Sequence, residues 1–219
     1  MAYQENGKMN SIDAMLLPML RINRDRLITR FQREARVEDA QTGFIRVAFM
    51  NQAPHIDQKM LNVQADVLAW IFRYSFATRV IGIPESGLPL ALEVAHRFPA
   101  TTLVHSAKEN GKAISFIPSV RFPVYSFTKQ LELTMLIESI EPGQRYLVVD
   151  DVVAYGHAGD GFIKAIQERG GEVVGLAAGF DKQFQGGVTK IAHDRQIPVA
   201  SVVSIENISE DNRVVLLNL

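Results

Sequence analysis

VVDDVVAYGHAGDG, residues 148–161, sets two acids, Asp150 and Asp151, at the end of an apolar run and follows them with small residues and glycines. An apolar run, a glycine-rich turn and then an amphipathic segment read as a buried strand, a loop and a helix. The strand covers residues 145–151. The helix covers 159–169, with Phe162, Ile163 and Ile166 inward and Gly170 or Gly171 ending it. Neighbouring acids at a strand-to-loop junction diverge, so both are able to face a cleft. Such a pair accepts hydrogen bonds from vicinal hydroxyls or holds a hydrated magnesium ion. The turn that follows feeds a helix N-terminus, whose free N–H groups and dipole favour phosphate. Diol-binding acids followed by a phosphate-binding turn describe a site for a sugar phosphate. The plainer alternative is an acidic N-cap on an ordinary strand-to-helix loop.

Outward from this stretch, strands and helices alternate. RVIGI (79–83) reads as a strand, PESGLP as a turn, and residues 89–98 as a helix with Pro89 near its first turn. TTLVHS (101–106), EVVGLAAGF (172–180) and IPVASVVSI (197–205) read as further strands. Residues 108–122 show no periodicity and read as a mobile loop or loose hairpin. Continuous apolar strands between helices mean a parallel sheet covered on both faces. Towards the N-terminus, residues 23–36 place Leu27, Phe31 and Ala35 at helical spacing, and FIRVAF (44–49) reads as a strand. Asp57 is placed to cap a helix to about residue 74, with Met60, Val63, Val67 and Ile71 on one face. The fold class expected is α/β, one domain over residues 1–219. It divides into an N-terminal helix and hood (1–55), a core (56–204) and a tail (205–219).

Composition narrows the classes. Hydrophobic residues make up 47% and charged residues 21% of the 219, with a formal net charge of -1. A dedicated nucleic-acid binder is usually basic, so nucleic acid is not expected as a partner. Arg26, Arg30 and Arg33 share a helical face, but Asp25 and Glu34 interrupt the charge, and a solvated face is the reading adopted. Without cysteine there are no disulfides, zinc-thiolate sites or thiol chemistry. No apolar run approaches the ~18 residues of a membrane span, and the first residues lack a signal-peptide layout. A cytoplasmic location is expected. The histidines show no metal-ligand spacing, and neither G-x-x-x-x-G-K-[ST] nor G-x-G-x-x-G is present.

Ligands of open parallel sheets sit at the carboxyl ends of the strands. A second such junction, GIPESGLP (82–89), offers backbone donors and the Ser86 hydroxyl to a second anionic group, or is a routine turn. Together the two junctions resemble the type I phosphoribosyltransferases. YLVVDDVVAYGHAG matches their fingerprint of an apolar run, two acids and a small-residue turn, and VIGIPESGLPLA looks like their pyrophosphate loop. Within the family, VYSFTKQ (124–130), MNQ (50–52) and FDKQFQGG (180–187) most resemble the xanthine enzymes and their adenine relatives.

The resemblance implies transfer of phosphoribose from 5-phosphoribosyl-1-pyrophosphate to a purine base, by a pentosyltransferase that works as a homodimer with magnesium held mainly by substrate oxygens and water. It implies that Asp150 and Asp151 hold the ribose hydroxyls, and that Ala154, Tyr155, Gly156, His157 and Ala158 wrap the 5-phosphate. Glu85, Ser86 and Gly87 would meet the pyrophosphate, with Lys129 from a flexible loop. Phe44, Asn51 and Lys182 match base-side positions, and Lys182 suits the oxo groups of a xanthine-like base. Tyr155 and His157 depart from the family, which usually has Thr or Asn and Gly or Gln there. A non-catalytic sensor of the same sugar pyrophosphate and an orotate- or adenine-type enzyme remain as alternatives.

Overall fold

Leu27 and Phe31, one helical turn apart, are both fully buried, which ties the first helix to the rest of the molecule. The computed structural model describes residues 11–47, 56–99, 101–109, 119–126 and 131–217. Helix α1 (Ser11–Glu34) is longer than the apolar spacing predicts and runs through Pro18. A hairpin of β1 (Ala35–Asp39) and β2 (Phe44–Val47) follows, then α2 (Gln58–Ile71). Next come β3 (Arg79–Gly82), α3 (Gly87–Ala95), β4 (Thr102–Val104) and β5 (Ser106–Lys108). Two longer strands, β6 (Ser119–Ser126) and β7 (Leu131–Glu138), precede β8 (Arg145–Val153) and α4 (His157–Glu168). The chain closes with β9 (Glu172–Lys182), a 3-10 turn, α5 (Gly187–Arg195), β10 (Val199–Ile208) and β11 (Val214–Leu216).

The central sheet has the order β11-β10-β9-β8-β3-β4, parallel except for β11. The expected α/β class with a parallel central sheet therefore holds. Strand β3 has β4 on one side and β8 on the other, so the chain order reverses at the β3–β8 boundary. That is the switch point at whose carboxyl end a ligand crevice opens. The core is split by the sheet. One cluster gathers Leu68, Phe72, Leu90, Leu147, Phe180 and Val203, and the other Ile81, Tyr146, Val148, Phe162, Ile163 and Leu176.

Several boundaries differ from the sequence reading, for identifiable reasons. Asp57 does cap α2 as expected, accepting from the Lys59 and Met60 amides at 3.0 and 3.2 Å. Of the four residues expected inward, Val67 is buried, Met60 and Val63 are partly buried against the core and Ile71 is exposed, while Leu61, Gln64, Ala65 and Leu68 are buried as well. At the end of that helix the bulky Phe72 is buried in place of Ile71, packed at Gly175, where no Cβ stands in its way. The 101–106 strand is two strands, because the chain leaves the central sheet at His105 and enters a three-stranded antiparallel sheet of order β5-β7-β6. The end of the 108–122 segment is likewise strand rather than loop: Ser119 to Phe122 pair with Glu138 to Met135. Long cross-strand pairing of this kind leaves little trace in local periodicity.

The N-terminal segment is joined to the core rather than hung from it. Phe31 meets Phe180 of β9 edge-on, with ring centroids 5.3 Å apart. Arg24 donates to the Val202 carbonyl at 3.0 Å. Arg30, one of the three arginines read as a solvated face, is engaged by Glu34 and Asp57, which ties α1 to the cap of α2. Phe31→Ala is expected to lower unfolding free energy by about 3–5 kcal/mol, the range for emptying a buried aromatic site. Urea denaturation followed by far-UV circular dichroism measures it, and a loss under 1 kcal/mol would show that α1 is not part of the cooperative core.

Candidate functional site

Hydrogen bonds of the parallel ladder carry β8 two residues past its expected end, through Val153 opposite Asp181. Asp150 and Asp151 therefore lie inside the strand, not on a loop, and both are buried, at 7% and 2% exposure. A cavity of about 360 Å³ opens at this point, at the carboxyl ends of β3 and β8. Asp150, Asp151, Ser86 and the whole 154–158 turn line it, so most residues singled out in the sequence converge.

The acids are held as a unit. Ser86 donates to Asp151 Oδ1 at 2.8 Å, and the Asp151 amide donates to Asp150 Oδ1 at 2.9 Å. Asp151 Oδ2 is buried and has no hydrogen-bond partner among the described residues, which marks a place where a ligand hydroxyl would complete the carboxylate. Burial, reinforced by the neighbouring Asp151, holds the Asp150 carboxyl well above the usual carboxylate range, while Lys108 acts in the opposite sense. Lys108, at the end of β5, also lines the cavity. Sequence reading missed it, along with Tyr125, Leu133 and Met135. All four come from the outer sheet; Tyr125 lies within the VYSFTKQ stretch, and Lys108 is a basic residue shortly after a strand.

Two glycines let backbone approach the site. Gly87 begins α3, and a Cβ there would fall 3.0 Å from the Asp150 Cα and the Val149 carbonyl. Gly187 begins α5, and its amide donates to the Ala154 carbonyl at 3.0 Å. A Cβ on Gly187 would collide with that carbonyl and lie 2.6 Å from the Gly156 nitrogen. The 154–158 turn is thus backed by α5. Gly156 itself takes a left-handed φ of 81° just before α4, whose first residue is His157, two positions earlier than expected. Glycine alone adopts that conformation without a Cβ penalty.

The remaining candidates are placed around this centre. The Pro84–Glu85 peptide is cis, and Glu85 is exposed on the turn outside the cavity lining. Phe44 is half-buried on β2 and does not line the cavity. The hairpin carrying it docks near the end of β9, where Gln185 donates to the Thr42 carbonyl at 2.9 Å. Lys182 is the last residue of β9, 8% exposed and outside the lining. Burial pulls its ammonium down to about 8, while the field of Asp151 pushes the other way. Asn51 and Lys129 lie outside the described residues. No group of three or more His, Asp or Glu side chains converges to hold a metal among the described residues, and no helix there is long and apolar enough to cross a membrane.

Comparison with known proteins agrees with this geometry. The family model described as phosphoribosyl transferase domain matches residues 55–209. The xanthine phosphoribosyltransferase of Lactococcus lactis subsp. cremoris (strain SK11) is 30% identical over 162 residues, 73% of this chain and 80% of that protein. Among solved structures, adenine phosphoribosyltransferase from Rhodothermus marinus DSM 4252 superposes with a TM-score of 0.65 at 23% identity, covering 83% of this chain and 99% of that one. The adenine enzyme of Trypanosoma brucei, solved in complex with AMP, pyrophosphate and ribose-5-phosphate, gives 0.64 at 16% identity, over 85% and 83% of the two chains.

Two pH-dependent effects follow from the buried charges. The folded chain keeps the Asp150 proton to higher pH than the unfolded chain does, so that residue lowers stability as pH rises past the ordinary carboxylate range. Asp150→Asn is therefore expected to be more stable than the parent at pH 8, with the advantage shrinking towards pH 4. For Lys182 the unfolded chain binds the proton more tightly, and the penalty is fully present below about 8 and fades as pH rises towards 10.5. Lys182→Met is expected to gain on the order of 2 kcal/mol at pH 7 and progressively less above pH 8. Urea titrations across pH check both, and a Lys182→Met variant less stable than the parent at pH 7 would contradict the second.

Proposed function

The chain belongs to the phosphoribosyl transferase domain family, and from that premise we propose that it moves phosphoribose from 5-phosphoribosyl-1-pyrophosphate to a purine base, preferring a xanthine-like 6-oxopurine. The products are the nucleoside monophosphate and pyrophosphate. The observation that carries the reading is the paired, buried Asp150 and Asp151, one oxygen of which lacks a partner among the described residues, beside the turn that opens α4. Carboxylates so placed accept from the two ribose hydroxyls. The amides around Gly156 and the α4 dipole would take the 5-phosphate. Ser86, Gly87 and the Glu85 backbone would meet the pyrophosphate, with Lys108 and Lys129 adding positive charge.

In this reaction positive character develops at the anomeric carbon as pyrophosphate departs. The chain's groups act by holding the sugar in line with the base and by stabilising the leaving group. No side chain forms a covalent bond to substrate. A magnesium ion fits the donor set: two carboxylates are too few to enclose it, so substrate oxygens and water would supply most ligands, with Asp150 and Asp151 alongside. When bound it adds charge at the departing pyrophosphate. On the base side, Lys182 offers a cationic donor where adenine would present an amino group, which supports the 6-oxopurine preference. Phe44 and Asn51 would complete that pocket.

Residues 1–55 would serve as the hood over the base, 56–204 as the catalytic core and 205–219 as the tail. A homodimer, as the family resemblance implies, and a cytoplasmic location complete the proposal.

Pyrophosphate release on mixing 5-phosphoribosyl-1-pyrophosphate with a panel of bases tests the reaction. Xanthine or another 6-oxopurine is expected to give the highest kcat/KM, and adenine giving much the highest would overturn the base preference. No pyrophosphate release with any base of the panel, together with tight sugar pyrophosphate binding, would favour the sensor. The double variant Asp150→Asn, Asp151→Asn is expected to lose at least about tenfold in sugar pyrophosphate affinity, since each charged acceptor contributes about 1.5–3 kcal/mol. Unchanged affinity would undo the assignment of the acids.

A further inference from the structure

The tip of the β1–β2 hairpin and the end of β9 are each braced internally, and one side chain joins them. In the hairpin, Asp39 accepts from the Gln41 and Thr42 amides at 2.9 and 3.3 Å and from the Thr42 hydroxyl at 2.8 Å. On β9, Asp181 is fully buried and stands level with Val153 of β8 and Ser204 of β10. The Ser201 and Ser204 hydroxyls both donate to its Oδ1, the second at 2.7 Å. That carboxyl takes no part in the reaction and anchors the strand end to β10. Lys182 follows it directly. The 3-10 turn Gln183–Gln185 comes next, and then Gly187, bonded to the Ala154 carbonyl.

Gln185 spans the space between the two braced pieces. Its Nε2 donates to the Thr42 carbonyl at 2.9 Å. A carbonyl only accepts, so the amide nitrogen must face Thr42, which settles the orientation of the group. Gln185 Oε1 is buried and accepts from none of the described residues, so the link runs through the nitrogen alone. Gly43 makes the approach possible. It is buried with a left-handed φ of 67°, and a Cβ there would stand 2.7 Å from Gln185 Nε2 and 3.0 Å from the Phe184 ring. Phe44 is the next residue on the hairpin side, as Lys182 is the residue before the turn on the β9 side.

We propose that Gln185 is a positioning residue of the base site: its amide clasps the hairpin tip to the end of β9 and so sets the gap between Phe44 and Lys182, without touching the base. The inference rests on the base-side reading of Phe44 and Lys182 and deepens it. Ile45 and Val47 are buried in the core and fix the stem of the hairpin. Thr42, at the tip, is exposed, and its position relative to β9 is what one hydrogen bond is able to change. The braces at Asp39 and Asp181 matter because a clasp transmits position only between pieces that are themselves rigid.

Equilibrium binding of two ligands separates the base side from the rest of the site. One is ribose 5-phosphate; the other is whichever of xanthosine 5′-monophosphate and AMP the parent binds more tightly. Gln185→Met keeps the chain length and removes the donor. It is expected to weaken the nucleotide about fivefold, the worth of one ordinary hydrogen bond, and ribose 5-phosphate less than about twofold. Asp39→Ala, which frees Thr42 from the other side, is expected to give the same selective loss. Combined, the two changes are expected to cost less than the product of their separate effects, because both break one link. A residue that merely supports the fold would weaken both ligands together. Equal weakening of the two ligands by Gln185→Met, or no weakening of the nucleotide, would overturn the clasp, and a nucleotide still weakened by Lys182→Met would leave the base-side reading standing. A parent that binds the nucleotide no more tightly than ribose 5-phosphate would overturn both.

Discussion

Two carboxylates buried side by side within a parallel strand are the constraint around which this molecule is arranged. A charge removed from water is costly unless it is paired or hydrogen-bonded, and here the satisfaction is partial. Ser86 and the Asp151 amide each supply one hydrogen bond, Lys108 and Lys182 supply field, and Asp151 Oδ2 accepts from none of the described residues. The site is thus destabilising in isolation and kept in place by apolar clusters on both faces of the sheet. That imbalance is what a diol with two donors would correct, and it ties function to a local weakness of the fold.

The rest of the site depends on how closely backbone packs around those acids. Gly87 brings the start of α3 against Asp150, and Gly187 brings the start of α5 against the 154–156 backbone. Two helices and a turn are thereby fixed relative to one strand with little side-chain material between them. Such contacts transmit position well, because a packed backbone has no rotamers to relax. The outer sheet is attached differently, through rings and the gap at Gly161, and it contributes Lys108 and Tyr125 from the opposite wall.

Much of this was legible in the sequence because it is local. The apolar run into Asp150–Asp151, the small-residue turn and the amphipathic helix after it are each read within about a dozen residues, and the strand-helix alternation follows from the same patterns. The two junctions that carry the site were found for that reason. The misreadings have a common origin in long-range choices. At the end of α2, Phe72 rather than Ile71 is buried, where it meets Gly175 of β9. Where β8 ends was decided by its ladder to β9, and where the 101–108 stretch divides by which sheet captures it.

By itself, then, the sequence determined the α/β class, the family resemblance and the pairing of diol-binding acids with a phosphate-binding turn, since each is written in contiguous residue types and spacing. Only the tertiary structure decided that the acids lie inside the sheet, that Lys108 and Tyr125 share their cavity, and that Lys182 stands buried at the end of the neighbouring strand within the field of Asp151. The physical reason is that burial and electrostatic coupling belong to distances between side chains. Those distances are set by strand order and by the glycines that let elements touch, and no single stretch of the chain contains them.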